Sequence, residues 1–132
     1  MHNNSLKAYQ AIESATLTGR DLEASLLIKS AARLSSVQMQ WDAPGRDALL
    51  DECLRYNQRL WTVFQSEMMD EANPLPAEIK NNMLSLSRFV DKRTFDTINA
   101  PAPEKLDILI TINRNIAAGL QAMPAPEVAA AA

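Results

Sequence analysis

The chain has 132 residues, a net charge of −3 and an isoelectric point near 5.1. This length suits one domain that buries a core without disulfides or a metal. Because there is no long run of Lys or Arg, the sequence lacks the electrostatic footprint of a nucleic-acid-binding domain. One cysteine and one histidine can form neither an internal disulfide nor an ordinary structural zinc site.

The first ten residues, MHNNSLKAYQ, lack the long apolar core of a signal peptide. No window approaches the ~18 uninterrupted apolar residues of a membrane-spanning helix. We therefore expect a cytoplasmic protein.

Apolar periodicity predicts an all-α fold, a compact bundle of about five helices joined by short loops that contain Pro or Gly. The helices are expected near residues 5–15, 19–40, 45–70, 76–98 and 103–121, with boundaries uncertain by about 2–4 residues. The tail from Met123 is rich in Ala and Pro and has no periodic pattern. We expect one helical domain over residues 1–122 and a disordered tail over residues 123–132.

The first two predicted helices differ in how clearly their apolar pattern indicates a helix. The first is short and weakly amphipathic, with Leu6, Tyr9 and Ile12 near one face. Thr18 is the expected N-cap of the second, with the acidic Asp21 three residues later. The second helix has a broad apolar face, formed by Leu26, Leu27, Ala31, Leu34, Val37 and Trp41.

The third and fourth predicted helices are each preceded by a clear break. Asp42-Ala43-Pro44-Gly45 precedes the third, whose apolar side comprises Leu49, Leu50, Cys53, Leu54, Leu60, Trp61, Phe64 and Met68. Asn73-Pro74-Leu75-Pro76 precedes the fourth. Each proline removes an N–H, so this segment cannot lie inside a helix, and Pro76 suits the first helical position. The fourth helix is expected to bury Ile79, Met83, Leu86, Phe89 and Val90.

The fifth predicted helix is apolar over more than half of its circumference, so it is either central or covered by another element. Its apolar residues are Leu106, Ile108, Leu109, Ile110, Ile112, Ile116 and Leu120. The run LDILITIN alternates and is rich in β-branched residues, as in a strand. The helical spacing that continues through Ile116 and Leu120 favours a helix.

Three asparagines fall in or beside apolar stripes: Asn57 in the third helix, Asn82 at the edge of the fourth, and Asn113 in the fifth. A buried amide must find hydrogen-bond partners. These amides therefore either fix the packing of the helices or contact a partner, and we favour the first role. Trp41 and Trp61 are expected in the core.

Leu84 and Phe95 fall opposite the main apolar stripe of the fourth helix, with Arg88 between them. In a continuous helix they form an exposed apolar spot. If the helix kinks near Lys92, Phe95 turns inward. The same helix is the most basic part of the chain, with Lys80, Arg88, Lys92 and Arg93 diluted by Asp91 and Asp96.

No catalytic motif is present, and no cofactor site is expected. Cys53 lies on an apolar helix face, and its only possible histidine partner is His2. We therefore expect a buried structural cysteine rather than a nucleophile.

Seven segments, taken together, resemble the flagellar biosynthesis regulators of the FlaF family. They are LKAYQA (6–11), GRDLEA (19–24), LLIKSAARL (26–34), YNQRLW (56–61), NPLP (73–76), FVDKR (89–93) and INRNIAAGL (112–120). Each segment alone is unspecific, but their order and spacing cover nearly the whole chain from Leu6 to Leu120. The residues that match the family pattern and are expected to be structural are Tyr56, Asn57, Trp61, Asn73, Pro74, Pro76, Asn113, Arg114 and Gly119.

The resemblance implies a protein without catalytic activity that binds flagellin as a secretion chaperone and promotes flagellin production and export. It also implies a functional link with FlbT, which acts on translation of flagellin mRNA. The alternative is an RNA-directed regulator of that translation acting with FlbT, although the acidic isoelectric point disfavours direct nucleic-acid binding. A third alternative, a small helical enzyme, would need clustered ionisable groups in a pocket, whereas the polar residues of this sequence are predicted to lie on solvated faces. The candidate partner-binding residues are Leu84, Arg88, Phe95, Ile108 and Ile112.

Overall fold

A computed structural model describes residues 19–122. This part of the chain forms four α-helices and no strand: α1 (Gly19–Met39), α2 (Arg46–Met69), α3 (Ala77–Asn99) and α4 (Leu106–Ala122), with a 3-10 turn at Pro103–Lys105 before α4. The all-α prediction is confirmed. The bounds of α1, α2 and α3 agree with the predicted ones to within one residue, and the predicted fifth helix begins as the 3-10 turn. The predicted helix over residues 5–15, the N-cap Thr18 and the tail over 123–132 lie outside the described residues.

The two loops beside α2 are built from residues with special backbone properties. Gly45 has φ 80°, a left-handed conformation in which a side chain would be strained, and its carbonyl accepts the N–H of Leu49 at 3.2 Å. At the other end, the Asn73 Nδ2 donates to the Glu67 carbonyl at 3.1 Å, and the Asn73 Oδ1 accepts from the N–H of Leu75 at 2.9 Å. Asn73 therefore satisfies a carbonyl in the last turn of α2 and shapes the turn that leads into α3.

The most extensive packing in the bundle joins α1 to α4, which are the first and last described helices. The other face of the bundle is made by α2, which packs on both α1 and α3, whereas α3 and α4 touch only slightly. Gln38 near the end of α1 donates to the Pro103 carbonyl at 2.9 Å and to the Asp107 carboxylate. These bonds fix the entry of α4 against α1.

The buried face of α3 differs from the predicted one. It is formed by Met83, Ser87, Val90, Thr94 and Thr97, and it is mostly small or polar. Ile79 and Phe89, which were predicted to be buried, are 36% and 38% exposed. The hydroxyls of Thr94 and Thr97 donate to carbonyls of their own helix, at 2.6 and 2.7 Å. They can therefore be buried without a partner on another helix, which the apolar pattern alone did not reveal.

Leu49 on α2 is also exposed, at 49%. The prediction that it belongs to the buried face of that helix is wrong. The buried row of α2 begins one residue later, at Leu50.

A buried chain of four polar side chains joins α1, α2 and α4. The Trp61 Nε1 donates to the Asn113 Oδ1 at 2.9 Å, the Asn113 Nδ2 donates to the Asn57 Oδ1 at 2.7 Å, and the Ser30 hydroxyl donates to the same Asn57 oxygen at 2.8 Å. The Asn113 Nδ2 also approaches the Leu27 carbonyl at 3.5 Å. All four side chains are essentially inaccessible to solvent. The prediction that Asn57 is buried and hydrogen-bonded is confirmed, and Asn113 shares that role.

Hydrogen-bonding chemistry determines which group donates and which accepts at each of these buried hydrogen bonds. An indole N–H can only donate, so the Asn113 oxygen must face Trp61 and its amide nitrogen must face Asn57. Asn57 must therefore present its oxygen, and Ser30 must donate to it. The Asn57 Nδ2 has no hydrogen-bond partner among the described residues, a cost that is offset by two bonds to its oxygen.

We expect Asn57→Leu to lower the free energy of unfolding by roughly 2 kcal/mol or more, because it removes the acceptor of the buried Ser30 hydroxyl and leaves the Asn113 amide only its long contact with the Leu27 carbonyl. Chemical denaturation followed by circular dichroism measures this change. The matched control is Asn82→Leu, because Asn82 is exposed on α3, and its effect should stay within about 0.5 kcal/mol. An Asn57→Leu variant as stable as the wild type would contradict the architectural role of this amide.

Candidate partner-binding surface

One flank of α3 carries the residues that the sequence placed opposite the main stripe. Leu84, Arg88, Asp91, Phe95 and Ile98 each follow a buried residue of α3 by one position, so they share one side of the helix. We call this row the α3 flank. It extends over about 20 Å at the rise of an α-helix.

The α3 flank is exposed mainly towards its C-terminal end. Since α3 is one uninterrupted helix, Phe95 does not turn inward, and it is 68% exposed, with Ile98 at 36%. Arg88 is exposed. Leu84 is only partly accessible and packs against the core. The expected pairing of Leu84 and Phe95 in one exposed spot is therefore wrong for Leu84, because its side chain reaches the core beside Met83.

The two predicted partner-binding residues on α4 also differ in exposure. Ile108 is 36% exposed, whereas Ile112 is partly buried and packs against the core. Ile116 and Leu120 continue the same four-residue spacing and are likewise partly buried. The wide apolar surface of α4 is thus largely explained by the packing of this helix in the bundle. Ile108 is the most exposed residue of the row.

The basic residues of α3 do not act as one row of free cations. The Arg93 guanidinium lies over the Phe89 ring, 5.7 Å from its centroid. Asp96 pairs with Lys105 at 3.5 Å, which places an anion beside Phe95. Arg88 and Lys92 are exposed, so the helix surface mixes cations with carboxylates.

The family-pattern residues fall into two groups. Asn57, Trp61, Asn73 and Asn113 hold the architecture together through the hydrogen bonds described above, and Tyr56 lies beneath the Arg33 guanidinium at 4.8 Å. The others are exposed: Pro74, Pro76, Arg114 and Gly119. Pro76 occupies the N-cap of α3 rather than its first helical position.

The tryptophans likewise differ in their surroundings. Trp61 is fully buried and packs edge-on against Phe64, with ring centroids 5.6 Å apart. Trp41 is only partly buried, and the Arg46 guanidinium covers its ring at 4.2 Å. The core position expected of both is therefore confirmed in full only for Trp61.

A groove that the sequence did not predict opens at the end of the bundle where α1 begins. It has a volume of about 200 Å³ and brings together the start of α1, the end of α2, the start of α3 and the end of α4. We call it the end groove. Its apolar lining residues are Phe64, Met68, Leu75, Ile79, Met83 and Leu120. Four helix ends contribute to it, and periodicity within single helices does not show which ends meet.

Two carboxyl groups, those of Glu23 and Glu67, also line the end groove. Burial raises the pKa of Glu23 from 4.5 to about 8, helped by a hydrogen bond to Glu67 and by its negative charge, while nearby Arg20 opposes the shift. Protonated Glu23 therefore donates to the Glu67 carboxylate near neutral pH. Neither residue stands out in the sequence, because the pair forms only when α1 packs on α2.

Within residues 19–122 no cluster of His, Cys, Asp and Glu is arranged to hold a metal ion. Cys53 is a buried free thiol whose pKa is raised by burial and by Glu52, against the effect of Arg33. A thiol with a raised pKa is a poor nucleophile. None of the four helices is both long and apolar enough to cross a bilayer.

The sequence model of the family described as flagellar protein FlaF matches residues 5–120. No curated protein and no solved structure matches the chain.

We expect Glu23→Gln to flatten the dependence of stability on pH. Because the pKa of Glu23 is higher in the folded than in the unfolded state, the native protein binds more protons between about pH 4.5 and 8, and stability falls as the pH rises through this window. The variant should be more stable than the wild type at pH 8.5 by on the order of 1 kcal/mol, a value reduced because the half-buried carboxyl is partly screened by solvent.

Thermal or urea unfolding at several pH values measures this effect. Glu71→Gln is the control, since Glu71 is exposed in the loop after α2, and it should leave the pH profile unchanged. If the stability of the wild type and that of Glu23→Gln depended on pH in the same way, the carboxyl pair would not retain a proton in this pH range.

Proposed function

Because this chain belongs to the flagellar protein FlaF family, we propose that it binds unassembled flagellin as a secretion chaperone and promotes flagellin production and export. FlaF is a family of flagellar accessory proteins rather than a known family of enzymes. The family match thus supports a flagellar role, and the surface of α3 supports binding as the way in which the protein acts.

The observation that carries the proposal is the exposure of Phe95 on the α3 flank. Two thirds of this aromatic side chain lie in solvent, and Ile98 follows one turn later on the same side. Because α3 packs mainly on α2 through a face rich in small and polar side chains, Phe89, Phe95 and Ile98 remain exposed. An aromatic ring with a neighbouring isoleucine provides an apolar anchor for a partner.

An amphipathic helix is the partner segment that suits this surface. The α3 flank lies on one uninterrupted helix, spans about 20 Å, and places Arg88 and Asp91 between Leu84 and Phe95. A helix laid along it can place apolar side chains on Phe95 and Ile98 and pair charges with Arg88 and Asp91. The terminal segments of flagellin have this amphipathic character, as the family resemblance implies, and covering them would prevent their aggregation before export.

We also propose a functional link with FlbT, which rests on the family resemblance alone. Direct RNA binding is a weaker candidate. Asp91 and Asp96 stand among the cations of α3, and Asp96 is paired with Lys105. The chain as a whole carries a net charge of −3, which opposes contact with phosphates.

We expect Phe95→Asp to weaken binding of purified, unassembled flagellin by at least about tenfold, since it removes an apolar anchor and places a charge in the interface. The fold should be retained because the side chain is already exposed. Isothermal titration gives the affinity, and circular dichroism checks the fold. Met39→Asp is the matched control, because Met39 is 82% exposed on α1. Equal losses in the two variants, or full affinity in Phe95→Asp, would refute the role of the α3 flank.

We expect the complex with flagellin to survive nuclease treatment and to change in affinity by less than about tenfold between low and high salt. Apolar burial is not screened by ions, whereas contacts to phosphates are lost steeply as salt rises. Titrations at two salt concentrations, after nuclease treatment, measure this. A complex that disappears with nuclease, or that weakens a thousandfold across the salt range, would instead favour an RNA-directed regulator.

A further inference from the structure

We propose that the partner segment bound on the α3 flank carries a Lys or Arg side chain that enters a hollow between the start of α2 and the end of α3. This inference rests on the proposed function, because it names a chemical feature of the segment that the α3 flank receives. It assigns a binding role to the carboxylates of Asp47 and Asp51, which lie outside the hydrogen-bonded core.

The hollow continues the α3 flank towards α2, at the opposite end of α2 from the end groove. It has a volume of about 260 Å³, and we call it the α2–α3 hollow. Its lining residues are Asp47, Leu50, Asp51, Leu54, Ile98 and Pro101. Ile98 belongs both to the hollow and to the α3 flank, and the exposed Phe95 lies one turn before it. A helix anchored on these two residues therefore brings its next side chains over the hollow.

The lining of the α2–α3 hollow combines an apolar part with negative charge. Four of its residues are apolar, whereas Asp47 and Asp51, on successive turns of α2, add two carboxylates. Among the described residues no cationic side chain lines it. A Lys or Arg side chain has the same two parts, an apolar stem that packs on aliphatic residues and a cationic end that pairs with carboxylates. The chemistry of the hollow therefore selects a basic side chain.

Both carboxylates keep capacity for a further cation. The Asp47 side chain pairs with Arg46 at 2.9 Å and is still 86% exposed, and the Arg46 guanidinium is itself held over the Trp41 ring. The Arg55 Nε donates to both oxygens of Asp51, at 3.0 and 2.9 Å, and the Asp51 side chain is still 49% exposed. A carboxylate offers about four acceptor sites, so one arginine does not saturate it. An acidic partner residue would meet like charges here, and an apolar one would desolvate the carboxylates without pairing them.

Neutralising the two carboxylates tests this contact. We expect Asp47→Asn with Asp51→Asn to weaken the complex with purified, unassembled flagellin by at least about fivefold at low salt. At high salt the loss should be less than about twofold, because exposed charge pairs are screened. The control, Asp70→Asn with Glu71→Gln, removes the same charge from exposed positions at the other end of α2, about 35 Å away. Its affinity should stay within about twofold of the wild type at both salt concentrations. Isothermal titration gives the affinities, and circular dichroism checks the fold.

A single substitution gives a second measurement that leaves the Asp51–Arg55 pair in place. Asp47→Lys puts a cation at the hollow, and it should weaken the complex more than Asp47→Asn does.

The outcomes separate this inference from the proposed function. If the wild type binds flagellin and Phe95→Asp weakens the complex, but neutralising the two carboxylates has no effect, this inference is wrong and binding on the α3 flank stands. An equal loss in the control, a loss of the same size at low and high salt, or full affinity in Asp47→Lys would also overturn it. If flagellin does not bind the wild type, both proposals fail.

Discussion

The hydrogen bond from Asn113 to Asn57 is the constraint on which the rest of the bundle depends. It joins α4 to α2 in the middle of the core at 2.7 Å, while Ser30 brings α1 to the same oxygen. Apolar side chains can slide past one another with little loss, whereas a buried amide that moves by one helical turn loses its partner. Trp61 sets the direction of the whole chain of bonds because its N–H can only donate. The three helices are thereby held in a single register.

This arrangement leaves α3 outside the polar network. Helix α3 packs mainly on α2 and touches α4 only slightly, and its buried threonines satisfy their hydroxyls within their own helix. Some of its large apolar residues consequently face solvent, Phe95 most of all. The bundle thus combines a rigid set of three helices with a fourth whose outer flank is open to a partner.

The sequence predicted the helices well because their ends carry local signals. Gly45, Asn73 and Pro76 act within a few residues of their own positions, so their effect can be derived without knowledge of the tertiary structure. The burial of Asn57 and Asn113 could also be predicted, because both interrupt apolar stripes. The buried face of α3 could not, since Ser87, Thr94 and Thr97 resemble surface residues, and only the fold shows that the two threonine hydroxyls bond to carbonyls of their own helix. The end groove and the Glu23–Glu67 pair arise only where separate helix ends meet, and local sequence patterns do not indicate which helix ends come together.

We propose that the outer flank of α3, supported by a bundle of fixed register, receives a helix of flagellin. Backbone amide spectra of the isotope-labelled full chain, recorded during titration with unassembled flagellin, test it most directly. We expect shifts concentrated at Arg88, Phe95 and Ile98, with the amide signals of Asn57 and Asn113 unmoved because the register is kept. Shifts confined to α1, or a general change that includes the two asparagines, would contradict it.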